Sequence, residues 1–142
     1  MKSHARHKAR SLALQAIFQW QFTTSSIDDI AVQYLAELNP KKVDAEYLND
    51  LLRGTTKNIE AIDEVMTPFL DRKLKELNQV ERAVLRLAIY ELMYRPDVPY
   101  KVIINEALEL AKKFGSIEGY KYVNGVLDKI AHSAQIKNMR QF

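Results

Sequence analysis

The stretch Asn78-Gln79-Val80-Glu81-Arg82-Ala83-Val84-Leu85-Arg86-Leu87-Ala88-Ile89-Tyr90-Glu91-Leu92-Met93-Tyr94 decides the fold. Asn78 followed three residues later by Glu81 is a capping box, so the run opens as a helix. Val80, Ala83, Val84 and Leu87 form one apolar face and Leu85, Ile89 and Leu92 another, which leaves Arg82 and Arg86 as a narrow polar stripe. A helix apolar on most sides is surrounded by other helices, and this one predicts the centre of a bundle. Glu91 falls within the apolar face. Its first reading is a structural carboxylate held by a buried Arg, Lys or Tyr; a tuned acid is the alternative.

The flanking segments supply the neighbours. Upstream, Asp44 caps a long helix through Tyr47, Leu48, Leu51, Leu52, Ile59, Ile62 and Met66. Gly54 inside that pattern suggests close approach of another helix. Pro68 breaks it, and a short amphipathic piece, Phe69 to Leu77, follows. Further upstream, Ser26 and Asp29 open a helix that runs to about Leu38 and ends at Asn39-Pro40. The first helix, Ala5 to Phe22, carries Ala9, Leu12, Ala13, Ala16, Ile17 and Trp20 at helical spacing. Downstream, Arg95-Pro96-Asp97-Val98-Pro99 is a rigid turn. The next helix reaches Phe114 and stops at Gly115 as a C′ glycine, and the last covers about Glu118 to Ala134. Seven helical pieces and no convincing strand predict an all-α bundle of antiparallel neighbours.

Composition agrees with one domain. The chain has 142 residues, 47% hydrophobic and 27% charged, with no Cys. That excludes disulfides, thiol nucleophiles and thiolate metal sites. No apolar run exceeds four residues, far short of a membrane span or the apolar core of a signal peptide, so no membrane association and a cytoplasmic location are expected. The net charge of +3 is unevenly placed. Residues 1–27 carry Lys2, Arg6, Lys8 and Arg10 and no acid; residues 129–142 carry Lys129, Lys137 and Arg140 and no acid; the stretch between holds 14 bases and 18 acids. A mildly acidic body with two basic ends is a polyanion signal.

Catalytic and metal constellations are lacking. His4, His7 and His132 sit in the basic ends, away from any acid expected to orient them or share a metal with them, and no third ligand accompanies the His4/His7 pair. Gly115, Gly119 and Gly125 lack the preceding strand of a phosphate loop. Neither a catalytic residue nor a cofactor or metal is expected, and Asn105-Glu106 reads as a solvated or bridging pair. The first helix is more informative. With its core stripe centred near Ala9, Ala13, Ala16 and Trp20, Phe18 points roughly 170° away, with His7 and Phe22 close to it and Arg10 on one flank. Outward aromatics beside cations suit single-stranded nucleic acid, whose bases stack while its phosphates meet the bases of the protein. Tyr122, off the stripe of Val123, Val126, Leu127 and Ile130, is a weaker instance. On the residues alone, RNA or single-stranded DNA binding stands first, a protein-binding helical module second and an enzyme third.

Beyond these patterns, Gln79-Val80-Glu81-Arg82-Ala83-Val84-Leu85-Arg86, Tyr90-Glu91-Leu92, Asp97-Val98-Pro99-Tyr100-Lys101-Val102, Ile104-Asn105-Glu106-Ala107, Leu110-Ala111-Lys112-Lys113-Phe114-Gly115 and Tyr122-Val123-Asn124-Gly125-Val126-Leu127-Asp128 together resemble the NusB family of bacterial transcription antitermination factors. The basic first helix ending Gln19-Trp20-Gln21 agrees. The resemblance implies a single domain over 1–142, a compact bundle in two three-helix subdomains (about 1–75 and 76–142). It also implies no enzymatic activity, and binding of boxA RNA with the ribosomal protein NusE within the RNA polymerase antitermination complex. Carried over by position, RNA contacts fall on Lys2, Arg6, His7, Lys8, Arg10 and Phe18, with a second patch on Glu118, Lys121 and Tyr122. The NusE surface falls on Phe18, Glu76 and Glu81. Some members of the family self-associate, so a homodimer in the free state is also implied. His7 and Lys8 stand where the family often has Arg, Phe18 where Tyr is frequent and Glu118 where Asp is frequent. NusB-like domains also open ribosomal RNA cytosine methyltransferases, but those need a glycine loop and a catalytic Cys, and these 142 residues hold neither.

Overall fold

Residues 2–140, with side chains from 3 to 140, are described by a computed structural model. Its helices are α1 (Lys2–Phe22), α2 (Ile27–Glu37), α3 (Ala45–Lys57), α4 (Ile59–Met66), α5 (Gln79–Tyr94), α6 (Tyr100–Phe114), α7 (Ile117–Ala131) and α8 (Ala134–Met139). Two 3-10 turns, Thr67–Phe69 and Leu74–Glu76, join α4 to α5, and there is no strand among the described residues.

The central helix is α5, packed against α1, α3, α4, α6, α7 and α8. Asn78 starts it by accepting from the Val80 and Glu81 amides. Between 83 and 93 every residue is buried except Arg86, whose guanidinium forms a fork with the Asp63 carboxylate of α4 at 3.0 and 2.8 Å. Arg86 thus faces a partner helix, Arg82 turns back to donate to the Lys75 and Leu77 carbonyls at 3.0 and 3.4 Å, and one continuous apolar core surrounds the rest.

Gly54 answers to its expected role. A Cβ there would fall inside the Tyr90 ring, so α3 and α5 touch only because position 54 lacks a side chain. Tyr90 crosses the notch to donate to Asp50 at 2.9 Å.

Four local expectations change. The long helix from Asp44 breaks at Asn58, whose amide and side chain both bond the Gly54 carbonyl and end α3 before α4 begins. The short amphipathic piece after Pro68 is two 3-10 turns, which let the chain reverse within a few residues. Gly115 ends α6 in extended backbone at φ −120° and ψ −157°, not as a left-handed C′ residue. The last helix stops at His132; Ser133 caps a new one, α8, which buries Ile136.

Candidate nucleic-acid interface

The first helix buries a wider arc than its apolar residues alone suggest. Arg10, Ala13, Leu14 and Ile17 are all buried at i, i+3, i+4 and i+7, because α1 is flanked by α2, α3, α5 and α6. Arg10 therefore does not lie on an outward flank. It is 4% exposed, and Nε and Nη2 donate to the two Glu91 oxygens at 2.8 and 2.9 Å. Nη2 also reaches the Tyr47 hydroxyl at 3.1 Å and Nη1 the Glu106 carboxylate at 3.3 Å. Burial works against the charge, but Glu91 outweighs it and holds Arg10 above the usual arginine range. With its donors so engaged, Arg10 supports the helix from inside and is withdrawn as a phosphate contact. Glu91 is the structural carboxylate the sequence suggested.

The other members of the basic end divide. The Lys2 side chain lies outside the described residues. Arg6 is half-buried, its guanidinium 4.3 Å over the Tyr47 ring and 3.7 Å from Asp44. Lys8 is half-buried, and no acid pairs with it among the described residues. His7 is not remote from acids: Nδ1 lies 2.6 Å from Glu106 and 3.7 Å from Glu109, both on α6. The three ligand atoms lie within 4.8 Å of one another, a spacing open to a metal, although Glu106 is shared with Arg10. His132 likewise has Asp128 at 3.5 Å. Sequence distance hid the His7 contacts, because α6 meets α1 only through the tertiary fold, whereas Asp128 lies one turn before His132 at the end of α7.

Phe18 is half-buried instead of pointing free. It meets Phe22 edge-on at 4.9 Å between ring centres and lines a cavity of about 400 Å³ with Leu14, Tyr34, Val80 and Phe114. Phe22 is the more open ring, 62% exposed. The Gln21 side chain ties this part of α1 to α5 by donating to the Gln79 carbonyl at 3.0 Å. Phe18 thus stands beside Val80, the residue before Glu81.

The second patch gathers where α5 and α7 begin. Glu81 does not reach back to its cap; its carboxylate lies against the first turn of α7, where a Cβ on Gly119 would be 2.7 Å from Oε2. Burial pushes the Glu81 carboxyl up and Arg72 opposes the shift. Arg72 lies 4.5 Å over the Tyr122 ring and pairs with Asp71 at 2.7 Å, while the Tyr122 hydroxyl accepts from the Asp71 amide at 3.4 Å. Glu118 and Lys121 are exposed on the same helix. Glu76 is exposed as well and accepts from the Lys73 amide at 3.0 Å, a local cap. Arg72 escaped the sequence reading: nothing near it in the chain marks a site, and only the reversal between α4 and α5 lays it on Tyr122.

The comparisons with known proteins agree with one another. The profile of the NusB family matches residues 7–132. A transcription antitermination protein NusB from Alcanivorax borkumensis is 54% identical over 127 residues, 89% of this chain and 85% of that protein. The solved NusB of T. maritima superposes with a TM-score of 0.80 at 34% identity, covering 94% of this chain and 95% of that one. A structure of the antitermination factors NusB and NusE in complex with double-stranded RNA gives 0.79 at 29% identity, covering 87% and 93%.

Proposed function

The chain belongs to the NusB family, and from that membership we propose that it is a transcription antitermination factor. In this reading it binds boxA-type single-stranded RNA of ribosomal RNA leader transcripts together with NusE, and helps RNA polymerase pass terminators in the cytoplasm. Its work is binding and not catalysis. No helix among the described residues is long and apolar enough to cross a membrane.

The Arg72–Tyr122 pair beside Glu81 is the observation that carries the reading. A ring, a guanidinium and the exposed Lys121 on one side offer stacking and phosphate contacts, and a carboxylate next to them suits a basic protein. RNA contacts are assigned to Lys2, Arg6, His7 and Lys8 on α1 and to Glu118, Lys121 and Tyr122 on α7. Phe18, Glu76 and Glu81 are assigned to NusE. Phe18 faces the apolar cavity beside α5, which favours the protein partner over a stacked base.

Titration of boxA and scrambled RNA with and without NusE, at several salt concentrations, tests the proposal. About four cation contacts to a single strand give a log-log salt slope near −3. Equal affinity for both RNAs in the presence of NusE, or a flat salt dependence, overturns it. Sedimentation of the same mixtures reads whether a free homodimer gives way to the complex.

A further inference from the structure

The two basic ends of the chain meet at the turn between α5 and α6. Ser3, Arg6 and Arg10 line a cavity shared with Asp97, Val98 and Pro99. Pro99 is also a wall of a second cavity, of about 500 Å³, whose other walls are Tyr100, Ala131, His132, Lys137 and Arg140. The Arg140 guanidinium donates to the carbonyls of Leu92 at 3.0 Å, Glu91 at 3.3 Å and Arg95 at 3.4 Å, and to that of Val98. These acceptors are neutral, and among the described residues no carboxylate forms an ion pair with Arg140 or Lys137. Burial lowers the Arg140 pKa, with Asp97 and Glu91 opposing the shift. Across the cavity the Tyr100 and His132 rings meet edge-on at 5.7 Å. Two acids stand near: Asp128, which faces His132, and Asp97, whose carboxylate is taken up by Arg95 at 2.9 Å.

The geometry points to this second cavity as a nucleotide subsite for single-stranded RNA, with a backbone phosphate on Lys137 and a base against the Tyr100 and His132 rings, while Arg140, its donors taken up by the carbonyls, holds the wall in place. It continues past Pro99 the track assigned to α1, and it rests on the RNA-binding reading above. Cations beside aromatic rings are what a single strand needs; an acidic peptide would use the cations and leave the rings idle.

Lys137→Glu is the first test, since Lys137 is exposed and its replacement leaves the core untouched. With labelled boxA-type RNA, affinity at low salt falls about 3- to 10-fold and the salt slope shrinks by about 0.7, one phosphate contact, while the melting temperature stays at the wild-type value. Lys137→Gln gives the same change of slope with a smaller loss. If wild type binds RNA in a salt-dependent manner and both variants match it in affinity and slope, the subsite is wrong, the RNA reading stands, and the groove is left to an acidic protein segment. If wild type shows no salt-dependent RNA binding, both readings fall together.

Discussion

Arg10 and Glu91 face each other as a two-pronged pair, Nε to Oε1 at 2.8 Å and Nη2 to Oε2 at 2.9 Å, in the interior between α1 and α5. Tyr47 and Glu106 take up further groups of the same network. Two charges so placed tolerate one another's presence far better than one another's loss. Arg10→Ala or Glu91→Ala is expected to cost about 3–5 kcal/mol, because each leaves a bare charge inside, whereas replacing both by apolar residues costs much less. Urea unfolding of the two single variants and the double variant reads the difference.

The notch at Gly54 sets two effects against each other. Alanine in place of glycine inside a helix ordinarily gains about 1 kcal/mol, but the added methyl would occupy the Tyr90 ring. Overpacking of this kind costs about 1–3 kcal/mol, so Gly54→Ala destabilises. Tyr90→Leu in the same chain recovers part of the loss, and thermal melts of the three variants show it.

Alkaline pH weakens the fold through two phenols. Burial and Glu91 push the Tyr47 hydroxyl above the usual tyrosine range, and burial and Asp50 do the same for Tyr90. The folded protein then keeps protons that the unfolded chain releases above about pH 10. The stability they contribute is complete below that pH and is lost as pH rises toward the folded values. Urea midpoints are expected to fall progressively above about pH 10, less steeply in Tyr47→Phe.

Tyr122→Ala removes the ring beneath Arg72 and is expected to weaken RNA binding by about 1–3 kcal/mol, the worth of one stacked base. Arg72→Ala exposes the ring and removes a charge, so its mark is a salt slope smaller by about 0.7. Fluorescence anisotropy at two salt concentrations separates the two. If both variants bind like wild type, the patch has no role in RNA contact.

Glu81→Lys places a cation at the start of α7 and opposite any basic partner. NusE binding is expected to drop at least tenfold while binding of RNA alone is retained, measured by calorimetry with each ligand in turn. Equal loss of both, with a lowered melting temperature, would trace the effect to the contact with Gly119.

Much of this architecture is written in local patterns. The caps at Ser26, Asp44 and Asn78 and the apolar girdle of α5 each declare themselves within a few residues, and so the helices were legible. The site was less so. Arg10 reads as a surface cation because its acid is 81 residues away, and His7 reads as unpaired because Glu106 is 99 residues away. Phe18 reads as outward because an angle around one helix says nothing of a neighbour at Val80 and Phe114. Pairings of that kind arise only when the helices assemble, and single-helix periodicity cannot carry them.

The span between Arg10 and Glu91 also bears on how the protein is made. At about 5–20 residues per second a ribosome needs roughly 4–16 s to cover those 81 residues. During that interval the nascent first helix has an arginine on the face it must bury and no carboxylate from α5 to receive it. The Arg10–Glu91 pair can therefore form only after α5 has been synthesised, so this part of the interior is completed late.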